Sequence, residues 1–509
     1  MVAISARWAA TAWPGPDFTA PSTTTSLVAV PDSKLRQLVH AVVQEGREAV
    51  LALKQERTLI SRHWRYPVLK QFDGGLPNVS HSSDGPTDYA GLFKLSGAGD
   101  YDIRYAALAC LPALHAHIVA DERLRSRVML PVRDSGNEEF RQRFDAISVA
   151  LLPLDLLDRL MIRHGEDYAD AAFEEEWSLL ERWLLADDDL PVEVVVPLAM
   201  TACETDEPFE LDHDVRVERI PDGEHLARVP DRLYADAEAD ARVISAASHA
   251  VVFSGISMPA SSSLTSHLVV PGLVPNQEIE QTFQVLQLAS GLALGYAQVY
   301  LRPLGWAWSF DADLPPVIDP KAVRRYPPAF NDLAWNLKPR TLTVGHLGEA
   351  KDLRAALGAA GSRMVLAARR FGQAQRRDEA EDAVLDLCIA LEAALGDAAH
   401  SEMTHKIAMR AAALLGSDGA DPANIKRLVK RLYDWRSALV HGMDVAKPIK
   451  RFAGEGKSAA NALGLANALT QLVLASMLRR PDVAEGEDLD RLMLEALVPE
   501  EPPGTPGTT

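Results

Sequence analysis

Between residues 349 and 480, apolar residues recur at helical spacing and are interrupted only by short turns that carry Gly or Asp. Apolar side chains at every third or fourth position form a stripe along one face of a helix, and that stripe has to be buried against a neighbour. This spacing predicts five helices, over residues 349–373, 378–395, 402–415, 421–441 and 457–478. A series of amphipathic helices joined by short turns packs into a bundle. We therefore predict an all-α helical bundle over residues 345–480.

The rest of the chain divides by composition into four further regions. Residues 1–32 are rich in Pro, Thr, Ser and Ala, which predicts a flexible leader. Residues 33–186 are predicted to be mostly helical, with helices over 34–57, 101–128, 138–164 and 172–185. Residues 187–340 mix strand and helix patterns and predict an α+β domain. Residues 481–509 predict a short helix and then an acidic, Pro- and Gly-rich tail. The expected fold class is multidomain α+β.

Inside the α+β region, β-branched or alternating apolar residues lie between Pro, Gly and Asp. This pattern predicts strands over residues 192–200, 209–220, 242–253 and 266–274. Residues 277–301 are rich in Leu, Ala and Gln and predict one helix. Two stretches with many turn residues, 73–91 and 315–339, predict a long loop and an irregular connector.

Composition excludes several classes of protein. The 509-residue chain has only three cysteines, far apart in sequence, which argues against a disulfide framework and against a structural zinc site. No secretory signal and no apolar run of about 20 residues is found in the sequence, so a cytoplasmic protein without membrane spans is expected. Phosphate-cradling Gly-rich loops and nucleophile elbows are also missing, and we predict no cofactor and no metal.

Arg436 is the most informative residue of the predicted bundle. Projected at about 100° per residue, it falls in the middle of an apolar helix face formed by Ile425, Leu428, Val429, Leu432 and Leu439. A buried guanidinium costs several kcal/mol unless a carboxylate, a phosphate or a partner surface satisfies it. His441 follows about 140° around the helix, and the two side chains converge only if the helix ends near Gly442.

Basic residues are concentrated around this pair although the whole chain carries a net charge of −19. Between residues 424 and 457, nine Lys and Arg face three Asp and Glu, a local charge of 9 − 3 = +6. A local basic patch attracts polyanions that an acidic surface repels. The alternative, which charge alone leaves open, is that these residues only solvate the outer face of a helix.

Three motifs resemble those of Apea-like HEPN domains, in the order of that family. Residues 378–393 read DEAEDAVLDLCIALEA and resemble its helix with an acidic residue, an aliphatic run and ALE. Residues 406–412, KIAMRAA, are similar to the next helix. Residues 432–442, LYDWRSALVHG, resemble its R-x4-H-G signature. The resemblance covers roughly residues 345–480.

The resemblance implies a helical bundle that forms a homodimer, in which the Arg/His motifs of two copies meet at a cleft that binds or cuts RNA without metal. It assigns catalysis to Arg436 and His441: an imidazole moves protons at neutral pH, and a guanidinium holds phosphate oxygens. RNA-binding or supporting roles are expected for Ser437, Tyr433, Lys430 and Arg431. Structural support is expected from Glu392, Arg410 and Asp434.

Structural interpretations of the same residues stay open. Arg436 could be a core arginine paired with Glu392 or Asp434, and His441 could simply favour the negative end of a helix dipole. Glu392 and Arg410 are read either as an internal ion pair or as solvated groups.

The predicted function is a metal-independent endoribonuclease effector whose N-terminal regions sense a trigger or restrain the nuclease. The resemblance places such proteins in prokaryotic antiphage defence or toxin-like growth arrest. One alternative is a non-catalytic module that binds RNA, a nucleotide or a protein. Another is a scaffold whose basic residues contact its own acidic regions.

Overall fold

A computed structural model of the chain describes residues 31–56, 60–94, 102–129, 138–230, 239–260, 272–333, 339–397, 403–454, 458–483 and 486–495. Nearly all of the predicted leader, most of the predicted strand over 266–274 and the tail after residue 495 lie outside these residues. The elements that are described mix helices and sheets, which confirms the α+β class. The boundaries of independently folding domains stay a prediction.

The N-terminal region is built on five helices: α1 Ser33–Gln55, α2 Leu111–Ala120, α3 Glu122–Val128, α4 Glu138–His164 and α5 Asp170–Leu185. The side chain of Asp32 starts α1, because it accepts hydrogen bonds from the backbone N–H groups of Lys34 and Leu35 at 3.0 and 2.9 Å. Helix α1 then packs its apolar stripe against α2 and α4.

Short strands also occur in this region: β1 Tyr66–Gln71, β2 Pro77–Ser82, β3 Phe93–Lys94 and β4 Ile103–Arg104. The prediction of a long loop over 73–91 is wrong, since β2 forms an antiparallel hairpin with β1. Only Val79 of β2 is fully buried, so the strand lacks the alternation that would reveal it in the sequence.

The central region holds the main sheet. Its elements are β5 Leu190–Pro197, β6 Thr201–Cys203, β7 Phe209–Asp212, β8 Val215–Arg219, α6 Asp222–Ala227, α7 Ala241–Ser245, β9 His249–Met258, α8 Asn276–Ser290, β10 Tyr296–Pro303, β11 Ile318–Arg325, α9 Phe330–Leu333 and β12 Arg340–Leu342. Six strands pair antiparallel in the order β11-β10-β5-β9-β8-β7, and β12 pairs parallel with β6. The strand β5 lies between β10 and β9 and is almost entirely buried.

Four predictions for this region need correction. The predicted strand 209–220 is a hairpin, β7 and β8, and the predicted connector contains β11. The predicted strand 242–253 begins as the helix α7, because the carboxylate of Asp240 accepts a hydrogen bond from the backbone N–H of Arg242. The predicted helix 277–301 ends at Gly291, which has φ +65°, and the chain continues as β10.

The C-terminal region contains eight helices among its described residues: α10 Val344–Ala359, α11 Ser362–Ala374, α12 Ala380–Leu395, α13 Met403–Ser417, α14 Pro422–Val440, α15 Ala446–Ala453, α16 Ala459–Arg479 and α17 Gly486–Glu495. The predicted helix 349–373 is two helices, broken at Gly361, which has extended backbone angles. Helix α15 was not predicted, because its eight residues are too few to show a clear helical pattern of apolar positions.

Helix α16 lies at the centre of this group. It contacts α12, α13, α15 and α8, and residues such as Val473 and Leu474 are fully buried. Within the described residues it is the one helix long and apolar enough to cross a membrane, with a mean hydropathy of 1.3 over its most apolar window. These contacts are typical of a core helix, and a core helix can be as long and as apolar as a membrane-spanning one.

Candidate functional site at the end of helix α14

Helix α14 carries the two residues that the sequence assigned to catalysis. It begins at Pro422, where the carboxylate of Asp421 accepts a hydrogen bond from the N–H of Ala423 at 3.0 Å. Its buried residues are Ile425, Val429, Leu432, Tyr433, Trp435 and Ala438. These side chains pack α14 against α12 and α13, and the opposite face of the helix reaches solvent.

The end of α14 fixes the position of His441. The N–H of Met443 donates to the carbonyl of Ala438 at 2.8 Å, and the N–H of Gly442 donates to that of Leu439 at 3.1 Å. This pair of bonds is a Schellman motif, which needs a left-handed residue, and Gly442 supplies it with φ +63°. His441 is therefore the last residue before the turn, and its side chain is exposed.

Arg436 lies on the buried face of α14, between Val429 and Leu432 in projection, as predicted. Its guanidinium is less buried than expected, because the side chain is 36% exposed and Leu428 and Leu439 beside it are only half-buried. The guanidinium therefore keeps part of its hydration, which reduces the cost of burying its charge.

Glu392 of α12 is the partner of Arg436. Its Oε1 lies 3.3 Å from Nη2 of Arg436, and the guanidinium also lies 5.9 Å from the ring centre of Tyr433. The pairing with Glu392 that the sequence left open is confirmed, whereas the alternative partner Asp434 is exposed to solvent. An ion pair between two partly exposed side chains contributes roughly 0–1 kcal/mol, so a phosphate could compete for this arginine.

Tyr433 lies below this pair and not at the surface. It is buried, and its hydroxyl donates a hydrogen bond to the carbonyl of Cys388 at 3.4 Å. Burial, followed by the electrostatic influence of Cys388 and Glu392, raises the pKa of the Tyr433 phenol far above its usual range. The phenol therefore stays protonated and joins α14 to α12, which fits the supporting role. The buried ring has no free face on which an RNA base could stack.

The remaining predicted residues of α14 lie at different depths. Lys430 and Asp434 are exposed, and Ser437 is partly exposed. Arg431 donates from Nη1 to the carbonyl of Arg451 at 2.7 Å and thereby connects α14 with α15. Of this group, Lys430 and Ser437 can reach a ligand at the surface.

The prediction for Arg410 needs correction, because it does not pair with Glu392. Its guanidinium is buried and binds the carboxylates of Asp397 and Asp490 and the carbonyl of Leu395. The hydrogen bond to Asp490 is the largest cause that raises its pKa above the ordinary value. Arg410 thus attaches α17 to α13 and is a structural residue.

Arg436 and His441 share one end of one helix, and no hydrogen bond joins their side chains. They are five positions apart in the chain, which on an ideal helix is about 7.5 Å along the axis and about 140° around it. The imidazole of His441 makes no hydrogen bond to any residue that the structure describes. Val440 and Met443, next to it, are 59% and 54% exposed. One copy of the chain therefore presents the two groups at the same helix end but on different sides of it, beside an exposed apolar pair.

Basic residues continue from this end onto α15. Lys447, Lys450 and Arg451 are exposed there, whereas Lys457 lies outside the described residues. The surface next to His441 is thus positive on a protein with a net charge of −19.

Two groups of side chains in the described ranges have the spacing of metal ligands, and the sequence indicated neither. In the first, Nε2 of His63 lies 2.8 Å from Oδ2 of Asp158, with Asp88 nearby. The other oxygen of Asp158 accepts hydrogen bonds from the N–H groups of Tyr89 and Ala90. These atoms are already satisfied by protein donors, so the group holds the loop before β3 against α4.

The second group is Asp212, His213 and Asp214, in the turn between β7 and β8. His213 is fully exposed, and hydrogen bonding to Asp212 is the largest cause that raises its pKa. Exposed acidic groups of this kind are common in turns and do not by themselves indicate a metal.

Comparison of the chain with protein-family models, with curated proteins and with solved structures found no match.

Proposed function

We propose that the chain is an endoribonuclease that cuts RNA without metal, at a site formed by Arg436 and His441 at the end of α14. The observation that supports the proposal best is that a half-exposed guanidinium and an exposed imidazole lie at one helix end next to a positive surface. The exposed bases of α15 would attract the phosphate backbone.

The residues fit the chemistry of RNA cleavage. The 2′-hydroxyl loses its proton, its oxygen bonds to phosphorus, and the bond to the 5′-oxygen breaks as that oxygen gains a proton. Imidazole side chains titrate near neutral pH and can take or deliver such a proton, which is the role of His441. Arg436 donates hydrogen bonds to the phosphate oxygens and stabilises the charge that builds on them.

Two copies of the chain are part of the proposal, since one helix places the two groups on different sides. The exposed Val440 and Met443 flank His441, and contact between copies would remove these apolar side chains from water. A two-fold axis there would bring the histidine of one copy towards the arginine of the other. The finer description of residues 345–480 as a HEPN-like bundle belongs to this proposal and rests on the three motifs.

The N-terminal and central regions are assigned a regulatory role in this proposal. The central region packs on the bundle through α8, which contacts α10, α11 and α16, and Arg376 of the bundle pairs with Glu280 of α8 at 2.6 Å. A change in the central region could therefore reach the bundle directly. The setting that the motifs suggest is the prokaryotic cytoplasm, in antiphage defence or growth arrest.

The test is incubation of purified protein with RNA in the presence of a chelator. Cleavage by the wild-type chain and not by the His441→Ala variant supports the nuclease. If RNA binds without being cut, the bundle is a binding module; if RNA does not bind even at low salt, the basic residues contact only the protein itself.

Removing the charge of Glu392 is expected to strengthen RNA binding. In the Glu392→Gln variant Arg436 loses its intramolecular partner, so up to about fivefold tighter binding is expected, from an ion pair of at most about 1 kcal/mol. Fluorescence anisotropy with a labelled RNA at fixed salt measures the change. The Glu381→Gln variant changes an exposed acid of the same helix and serves as the control. Equal affinities for the two variants would contradict the competition between Glu392 and phosphate.

A charge at Met443 is expected to separate the two copies. Burying an unpaired carboxylate in an apolar contact is costly, so the Met443→Asp variant should dissociate at least about tenfold more readily than the wild-type dimer. Sedimentation velocity measures the oligomeric state. The Leu304→Asp variant alters an exposed apolar residue after β10 and should leave it unchanged. A monomeric wild-type chain, or no effect of the Met443 substitution, would contradict the proposed contact.

A further inference from the structure

A cavity of about 130 Å³ lies between α3, α4, α5 and the segment that follows β10. Aromatic side chains form much of its wall, from Trp183 of α5 and from Trp308 and Phe310. Leu152 and Leu180 add apolar surface, and the two serines Ser148 and Ser309 also line the cavity. Apolar cavities of about 150 Å³ take up one benzene ring, so this volume suits a ligand of one ring or a short aliphatic chain.

One ionisable residue, Asp155 of α4, stands among the described residues that line the cavity. Its carboxyl group makes no hydrogen bond within the part of the chain that the structure describes. The neighbouring Asp158 differs in this respect, because its oxygens accept hydrogen bonds from His63, Tyr89 and Ala90. Asp155 is thus an acid in an apolar wall without a protein partner.

The electrostatic surroundings of Asp155 are negative. Burial, followed by the negative charges of Asp158 and Asp311, raises the pKa of the Asp155 carboxyl to about 8, against a lowering influence of His63. The phenol of Tyr105 also faces it, and its pKa is raised by burial and then by Asp155. A positive ligand in contact with this carboxyl would favour its charged form.

We propose that this cavity is a binding site for a small organic cation, a primary amine carrying one ring or a short apolar body. The ammonium group pairs with the carboxylate of Asp155, and the apolar body lies among Trp183, Trp308 and Phe310. Aromatic faces attract cations as well as apolar groups. A neutral alcohol of the same size offers the carboxyl a hydrogen bond but no charge, so the positive charge decides between the two classes of ligand.

The proposal does not depend on the function assigned to α14, and its test uses no RNA. Benzylamine is the probe, benzyl alcohol is its neutral counterpart, and isothermal titration calorimetry of the full chain at pH 7 measures binding. Benzylamine is expected to bind the wild-type chain at least about tenfold more tightly than benzyl alcohol, the size of one charge-assisted hydrogen bond.

The Asp155→Asn variant should bind both probes equally weakly, which removes the preference for the amine. Asparagine has nearly the shape of the uncharged acid, so the variant is expected to melt at the wild-type temperature or above. Asp145→Asn, in the same helix but outside the cavity wall, should bind benzylamine like the wild-type chain. The Leu151→Trp variant places a large ring at the cavity and should lose binding of both probes.

Proton release identifies Asp155 as the partner. At pH 7 a carboxyl with a pKa of about 8 is mostly protonated, so pairing with an ammonium ion should release a proton on binding. Titrations in buffers with different ionisation enthalpies measure the number of protons released, and the Asp155→Asn variant should release none. The inference is overturned if benzylamine fails to bind, if benzyl alcohol binds equally well, or if the Asp155→Asn variant binds benzylamine like the wild-type chain.

Discussion

Replacing His441 with alanine is expected to reduce RNA cleavage by about 10²–10⁴-fold, the range that a general acid or base contributes. The imidazole of His441 is exposed at the end of α14. The helix end depends on the backbone conformation of Gly442 and not on the side chain of His441. The substitution should therefore leave the fold and the helix end intact. RNA binding should stay within about twofold, because the proposal assigns the phosphate contacts to Arg436 and to the exposed bases of α15.

His405→Ala is the matched control for this experiment. His405 is an exposed histidine of α13, and its removal should leave cleavage at the wild-type rate. Both variants and the wild-type chain are purified in parallel and assayed with a fluorescent RNA in chelator, so a contaminating nuclease would appear equally in all three. Equal cleavage by the His441→Ala and wild-type chains would contradict the role of the imidazole.

Replacing Arg302 with methionine is expected to lower the free energy of unfolding by about 3–5 kcal/mol, the typical cost of removing one partner from a buried ion pair. Arg302 of β10 binds Glu193 of β5 at 2.9 Å, Glu218 of β8 at 2.7 Å and Glu224 of α6 at 2.8 Å. The hydroxyl of Tyr300 donates a further hydrogen bond to Glu224 at 2.5 Å. Without the guanidinium, the carboxylates would stay buried and lose a shared partner.

The electrostatics of this group agree with that expectation. Burial opposes the charge of Arg302, but the attraction of Glu224 and Glu218 outweighs it and raises the pKa of the guanidinium far above its ordinary value. Urea unfolding followed by circular dichroism measures the change in stability. The control is Arg219→Met, which breaks an exposed pair with Asp206 and should cost at most about 1 kcal/mol. Similar losses for the two variants would contradict a structural role specific to Arg302.

Local sequence patterns predicted two of the long helices well, whereas the predicted helix 101–128 consists of the strand β4 and the two shorter helices α2 and α3. Helix α4 spans Glu138–His164 as predicted, and α14 differs from its prediction by one residue at each end. These helices carry an apolar stripe over several turns, and that stripe is visible without any tertiary contact. Elements that change type within a few residues were missed. The change from helix α8 to strand β10 was missed, because apolar residues continue across the boundary and Gly291 is the residue that signals the end of the helix.

The candidate site was predicted in part. Gly442 indicated the end of α14, and the pairing of Arg436 with Glu392 was among the alternatives. The depth of Arg436 was misjudged, since an ideal projection ignores which neighbouring helices cover each side of the stripe. Contacts between residues far apart in the chain could not be predicted from the sequence. Arg302 pairs with acidic residues from three elements, and Asp155 comes near Asp311 only because the chain folds. A single chain gives no local signal for such contacts.

Mixing two inactive variants tests the central claim most directly, namely that Arg436 of one copy and His441 of another act on one phosphodiester. Arg436→Ala and His441→Ala chains are purified separately, combined in equal amounts under conditions that exchange subunits, and assayed with RNA in chelator. Half of the dimers would then be mixed, and each would hold one complete site of two, so about a quarter of the wild-type activity should return. If the wild-type chain cleaves RNA and the mixture stays as inactive as its components, the shared site is contradicted.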